Sequence, residues 1–319
     1  MSIILLMIGF VLLIIGANFF VDGASKIASY LHISRLLIGL TIVAFGTSSP
    51  EATVSILAAL GGNADVAIGN VVGSNIFNIT LVVGLTAIIH PLQVENETIR
   101  KEIPFTLLAS VALMIFISDK VLESASHHVV TRSDGLILLL LFFVFLYYLF
   151  EVARKGRSNA KEEKTAQPTA AVWGKQILFT ILGLGAIIFG GDLVVDSATE
   201  IALSFGMSKT LVGLTIVAVG TSLPELVTAI TAAIKKESEI ALGNIVGSNI
   251  FNILFVLGAA ATISPLGADP KISIDITLMI VLTLLLLVFS RTNFKIGKFE
   301  GIILAAAYIG YLIYIIVRN

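Results

Sequence analysis

Glu51 closes the segment GLTIVAFGTSSPE (residues 39–51), and Glu225 closes GLTIVAVGTSLPE (213–225). Each lies a few residues from the midpoint of an apolar stretch long enough to cross a bilayer. A charge at that depth costs at least a few kcal/mol and marks a functional group, unless it is held protonated or bonded to a neighbouring helix. Thr47, Ser48 and Glu51 share one helix face at i, i+1 and i+4, and Thr221, Ser222 and Glu225 repeat that face. Pro50 and Pro224 each remove a helical hydrogen bond and clash with the carbonyl four residues back, at Gly46 and Gly220. The helix is expected to break there, freeing carbonyls near Ala44–Thr47 and Ala218–Thr221. Free carbonyls at membrane depth are tolerated only where they face protein or line a cavity.

A second pair of segments adds neutral oxygens. IGNVVGSNIFNI (68–79) and LGNIVGSNIFNI (242–253) place Asn70, Ser74 and Asn78, and Asn244, Ser248 and Asn252, on single helical stripes at a spacing of four. Gly69 with Gly73, and Gly243 with Gly247, form small-xxx-small pairs that let helices approach closely. Asn70 and Asn244 read as helix-to-helix hydrogen bonders. Ser74, Asn78, Ser248 and Asn252 lie deeper, level with the carboxylates. Carboxylates, hydroxyls, amide oxygens and carbonyls together suit a hard cation. Calcium accepts six to eight oxygens in flexible geometry, whereas magnesium demands an octahedron and keeps its water. Calcium and sodium are close in size, so one cage serves both. Two acidic charges balance one Ca²⁺, two Na⁺ or two protons.

The elements that must position these groups come from a duplication. Eleven of 13 positions in the first motif pair are identical, and 10 of 12 in the second, both at an offset of 174. The chain is one unit written twice, and such repeats organise a fold. Matching apolar segments interrupted by Gly and Pro in two halves point to a transporter binding site. The 319 residues are 57% hydrophobic and 13% charged, with mean hydropathy +1.02. A soluble domain carries about 25% charge, so the chain reads as an all-α integral membrane protein. A helix needs about 20 apolar residues to span. Ten spans are expected, at 3–21, 36–60, 65–89, 103–118, 135–153, 174–194, 210–233, 239–263, 274–290 and 300–317.

The first span lacks the basic flank of a signal peptide. Its residues 15–22 (IGANFFVD) align at the same offset with 189–196 (FGGDLVVD), so it is expected to be retained. Residues 155–172 are the one long polar stretch and read as a flexible linker between a first half (1–154) and a second (173–319). Loops after odd-numbered spans carry 15 of the 20 Lys and Arg residues. This bias puts the linker in the cytoplasm and both termini outside. Five spans per half is an odd number, so the second half enters from the opposite face and the repeats are inverted, an arrangement associated with alternating access. There are no cysteines and only four histidines, at 32, 90, 127 and 128, all in or near loops. Soft-metal and thiol chemistry is therefore absent from the core. Nothing suggests nucleic acid, a resident cofactor or an obligatory protein partner; the lipid bilayer is the surroundings.

The paired GTSxPE and GNxxGSNIxN segments closely resemble the two alpha-repeats of the sodium/calcium exchangers, in the calcium:cation antiporter superfamily. The resemblance covers the whole ten-helix plan. It implies ten transmembrane helices in two inverted five-helix repeats, with several Na⁺ exchanged for one Ca²⁺ at a central site in the plasma membrane. By motif, the central ligands would be Glu51 and Glu225, joined by oxygens of Thr47, Ser48, Thr221 and Ser222 and by the carbonyls of Ala44 and Ala218. Ser74, Ser248 and Asn78 would complete the sodium sites, with Asn252 the counterpart of Asn78. Potassium-dependent relatives carry Asp where Asn252 stands, so potassium cotransport is not expected. The short linker leaves no room for the calcium-sensing region of the animal exchangers, which points to a prokaryotic protein.

Two rivals remain at the level of sequence. A proton/calcium exchanger would use the same buried acids as proton carriers, and a selective channel would also use broken helices. An enzyme is disfavoured. Asp192, after Gly190–Gly191, is a near miss to the GxGD of intramembrane aspartyl proteases but has no partner Asp in another span, and HExxH and GxSG are missing.

Overall fold

An apolar segment in lipid must satisfy its backbone within itself, so each becomes a helix. The computed structural model describes residues 2–118, 128–160, 169–206 and 218–318. The first half holds α1 (Ser2–Leu31), a second segment of Arg35–Thr47 followed by α2 (Ser49–Leu60), α3 (Ala64–Phe77) with its continuation to Ile89, α4 (Ile103–Phe116) and α5 (Arg132–Ala160). The second half holds α6 (Ala170–Ser204), α7 (Leu223–Ile234), α8 (Ser238–Ile250) with its continuation to Ile263, α9 (Ile272–Arg291) and α10 (Lys298–Arg318). Seven described helices are individually long and apolar enough to cross a membrane, and the bent second segment makes an eighth. α4 reaches membrane length only with the π-helical turn Thr98–Glu102 that precedes it. Residues 210–217 of the expected seventh span lie outside the described residues.

Three boundaries differ from the sequence reading. α1 has 30 residues and α6 has 35, against expected spans of 3–21 and 174–194. At 1.5 Å per residue each outreaches a hydrocarbon core of about 30 Å. The helices run on past their apolar stretches because Gly23, Ala24 and Ile27 of α1 and Val194, Ser197 and Ala202 of α6 stay buried, while Lys26, Asp192, Asp196 and Glu200 between them face outward. The linker expected at 155–172 is narrower: α5 continues to Ala160 and α6 begins at Ala170. Lys, Arg and Ala are strong helix formers and extend both ends. Residues 161–168 within it lie outside the described residues.

α1 and α6, one from each half, pack as a long antiparallel pair whose close approach depends on glycine. A Cβ on Gly16 would sit 2.8 Å from the Gly183 carbonyl oxygen. The segments led by α3 and α8 are the ones most enclosed by protein, whereas α5, α9 and α10 turn rows of Leu, Ile and Phe outward.

Two short antiparallel pairs tie the halves together. Leu92–Gln93 pairs with Lys295–Ile296, and Leu266–Gly267 pairs with Val129–Val130. Leu92 and Leu266 are equivalent at the offset of 174. One pairing therefore occurs twice, on opposite faces, as inverted repeats require.

Candidate functional site

The prolines break both motif helices. Arg35–Thr47 meets Ser49–Leu60 at 50°, and the residue at the corner, Ser48, has φ −84° and ψ 8°. Ser222 takes φ −94° and ψ 8° at the matching place, and Pro50 and Pro224 each sit in the first turn of the helix that follows. Each break starts a new helix with its glutamate in the first turn, where the helix dipole favours a negative charge.

The carboxylates bind across the repeats. Ser222 Oγ donates to Glu51 Oε1 at 2.8 Å, and Ser48 Oγ donates to Glu225 Oε1 at 2.8 Å. Both glutamates are fully buried. Ser222 Oγ also lies 3.1 Å from Ser74 Oγ. A hydroxyl has one proton, so Ser222 donates to Glu51 and accepts from Ser74. Thr47 Oγ1 is 2.9 Å from Asn244 Oδ1 and also within reach of the Val43 and Ala44 carbonyls.

Asn70 and Asn244 play their expected part. Asn70 Nδ2 donates to the Glu51 carbonyl and to Ser55 Oγ, and Asn244 Nδ2 reaches the Glu225 carbonyl at 3.5 Å. They hold each broken helix to the next helix of its own repeat.

Asn78 and Asn252 start and sit within π-helical stretches, Asn78–Val82 and Phe251–Leu257. Such wide turns recur at functional sites because they re-aim side chains. Asn78 Nδ2 donates to Asn249 Oδ1 at 3.3 Å, and Asn252 Nδ2 donates to Asn75 Oδ1 at 3.2 Å. Asn75 Nδ2 in turn donates to the Asn249 carbonyl. With one N–H of each amide committed, Asn78 and Asn252 keep their amide oxygens free.

The remaining acceptors tell what the interior lacks. Glu51 Oε2, Glu225 Oε2, Asn78 Oδ1, Asn252 Oδ1, Ser248 Oγ and Thr221 Oγ1 are all buried without a protein partner. Buried polar atoms are normally satisfied. Six orphaned oxygens, two of them on carboxylates, fit a hard cation bare of water and repel an anion. Among the described residues no three His, Cys, Asp or Glu side chains cluster as a metal site. A cation held by these atoms would draw on two acids and on neutral oxygens.

The sequence reading needs two adjustments here. The Ala44 carbonyl is not freed: Ser48 N–H donates to it at 3.0 Å, because the corner at Ser48 preserves that bond even though Pro50 removes the one to Gly46. A carbonyl has two lone pairs, so one remains available. Ala218–Gly220, the described residues just before the second corner, are helical, as Ala44–Thr47 are before the first. Asn75 and Asn249 were overlooked as positioning groups, although both lie inside the duplicated GSNIFN.

Comparison with known proteins gives one answer throughout. Residues 1–151 and 175–317 match the family described as sodium/calcium exchanger protein. The chain is similar to the putative antiporter CaxA of Alkalimonas amylolytica, with 42% identity over 97% of this chain and 96% of that protein. It is also similar to the inner membrane protein YrbG of Escherichia coli, with 38% identity over 97% of this chain and 94% of that one. A solved structure of the sodium-calcium exchanger NCX_Mj soaked with 10 mM Na⁺ aligns at a TM-score of 0.83 and 33% identity, covering 97% of this chain and 96% of that one.

Proposed function

Because the chain belongs to the sodium/calcium exchanger protein family, and is thus a multi-pass membrane cation antiporter and not an enzyme, we propose that it exchanges Na⁺ for Ca²⁺ by alternating access at the Glu51–Glu225 site. The observation that carries the reading is the set of orphaned oxygens on Glu51, Glu225, Asn78, Asn252, Ser248 and Thr221. Thr47, Ser48, Ser74 and Ser222, with the carbonyls of Ala44 and Ala218, complete the proposed coordination. NCX_Mj is a sodium-calcium exchanger with the same fold, which supports this ion pair here.

The halves 1–154 and 173–319 act as inverted repeats, with the linker in the cytoplasm and both termini outside. The similarity to an inner membrane protein supports a place in the cell membrane. Exchange follows from electrostatics. Two bare carboxylates about 5 Å apart repel by roughly 3 kcal/mol at an effective dielectric near 20. Closing the site over them adds a desolvation cost. The cation-free site therefore does not switch faces, and each crossing carries charge.

The test is ⁴⁵Ca²⁺ uptake into vesicles holding the purified protein. Imposed sodium gradients should drive uptake, and Glu51→Gln or Glu225→Gln should abolish it. Wild-type rates in either variant would overturn the site assignment. Uptake driven equally well by a pH gradient without sodium would replace sodium with protons as the counter-ion.

A further inference from the structure

A cavity of about 500 Å³ is lined by Asp65 in the first turn of α3, by the loop residues Asp269 and Lys271, and by Asn70, Gly73 and Thr221 beside the ion site. Asp65, Gly69 and Gly73 line it at i, i+4 and i+8 of α3, a run of roughly 12 Å at helical rise. Its floor includes Gly73 and Thr221, the neighbours of Ser74 and Ser222, whose hydroxyls lie 3.1 Å apart. The cavity therefore offers cargo a route toward these hydroxyls.

Among the described residues five charged side chains line this path: Asp65, Asp269, Lys271, Asp275 and Arg318. An arginine is unexpected on a cation route. Arg318 Nη1 and Nη2 donate to Asp275 Oδ1 and Oδ2 at 2.9 and 3.0 Å, a bidentate fork. The Tyr314 ring lies 5.1 Å from the guanidinium and helps to fix it. The Asp275 side chain is 3% exposed and that of Arg318 is 17%. The two residues come from different helices, α9 and α10, and their union is fixed in place and electrically neutral.

We propose that Asp275 and Arg318 form a compensated charge pair that sets the potential of the cation entry path and tunes its preference by cation charge. Among the described residues three carboxylates against two cations give the path a net charge of −1. Losing the Asp275 charge makes it neutral, and losing the Arg318 charge makes it −2. A conduction path must attract its ion yet release it. The pair holds the balance between those demands. Coulomb energy is proportional to ionic charge, so any change multiplies twice in free energy for Ca²⁺ as for Na⁺. This inference rests on the exchanger reading for its cargo, but its first test does not.

The chain has no cysteine, so one introduced thiol reports alone. Val66 lines the cavity and is 53% exposed. In full-length Val66→Cys protein, the reaction rates of a cationic and an anionic thiosulfonate reagent are compared. Asp275→Asn should lower the cation-to-anion rate ratio about threefold, and Arg318→Gln should raise it about threefold, for a charge change some 10 Å away in a largely aqueous cavity. The double variant should return to the parent value. A purely structural pair would move both singles in the same direction, or neither, and either result overturns the proposal. If Asp275→Asn fails to fold, Arg318→Gln alone decides, by raising the ratio or not.

Transport then supplies the second arm. Where Arg318→Gln lowers the half-saturating Na⁺ concentration on this face by some factor, the factor for Ca²⁺ should be close to its square; equal factors for the two ions would also overturn the charge-tuning proposal. Absence of sodium-driven calcium flux in the parent protein would refute the exchange reading, while the reagent ratio still decides the charge pair.

Discussion

At the scale of single residues, the site depends on which atom of each amide faces inward. Asn78 and Asn252 offer oxygen to the interior because their nitrogens are committed to Asn249 and Asn75. Asn75→Ala removes the acceptor for Asn252 Nδ2. The freed amide can then turn an N–H toward the cage, where it repels a cation. We expect the half-saturating sodium concentration to rise roughly fivefold to a hundredfold, for the 1–3 kcal/mol typical of an unsatisfied buried group. The protein should still fold and its maximal rate should survive, as measured by sodium-dependent ⁴⁵Ca²⁺ flux over a sodium titration; an unchanged titration would remove Asn75 from the site. Spacing could not have found this residue. Asn75 lies one position off the stripe of Asn70, Ser74 and Asn78, and its partner belongs to the other repeat, 177 residues away. The two glutamates and their hydroxyls were legible because each combines membrane depth with exact duplication at one offset. The direction in which an amide points is set by partners that a single helix does not contain.

At the scale of elements, equivalent glycines sit in opposite surroundings. A Cβ on Gly243 would lie 2.7 Å from the Leu36 carbonyl oxygen and 3.0 Å from Gly39 Cα, both backbone atoms. Its counterpart Gly69 lines the open cavity, and no described atom lies within 4 Å of a Cβ there. Gly243→Ala must push α8 away from the segment Arg35–Thr47 and should cost about 1–3 kcal/mol, as overpacking does. Gly69→Ala should be close to neutral. Thermal melting in detergent separates the two, and equal melting temperatures would mean that the repeats pack alike. The sequence marked both glycines as places of close approach, which holds for only one of them in this conformation. Helix existence and the proline breaks were legible from apolar length and from the GTSxPE corner. Helix ends were not, because α1 and α6 continue past their apolar cores by leaning on each other. The π-helical turns were not, because a wide turn leaves no periodicity that local residue types reveal.

At the scale of the whole molecule, the two repeats are equal in plan and unequal in their locks. On the face read as cytoplasmic, Lys235 Nζ lies 2.6 Å from Asp22 Oδ1 and 3.0 Å from the Asn18 carbonyl oxygen. Glu237 pairs with Arg35 at 2.8 Å and accepts from Ser25 Oγ at 2.9 Å. These bonds fasten α1 and the start of the second segment to the turn between α7 and α8. Shifting by the repeat offset puts Asp192, Asp196 and Thr199 on α6, facing a turn that holds Gly61 and Asn63. Two acids there meet no lysine or glutamate at the matching turn positions, so this fastening cannot form on the other face. Inverted repeats exchange conformations when access alternates, and an unequal lock biases the exchange toward the state in which the locked side is shut. Val66, in the open cavity, is 53% exposed, whereas its counterpart Ile240 is fully buried. Replacing the lock by its own counterpart residues, Lys235→Gly with Glu237→Asn, removes the bias. Partly exposed ion pairs contribute about 0.2–1 kcal/mol each, so losing both should move the population ratio by roughly two- to thirtyfold. A cysteine at Ile240 should then gain reactivity toward a membrane-permeant thiol reagent while one at Val66 loses it. If both thiols react as they do in the unaltered background, the lock carries no conformational energy and the asymmetry between the faces has another source.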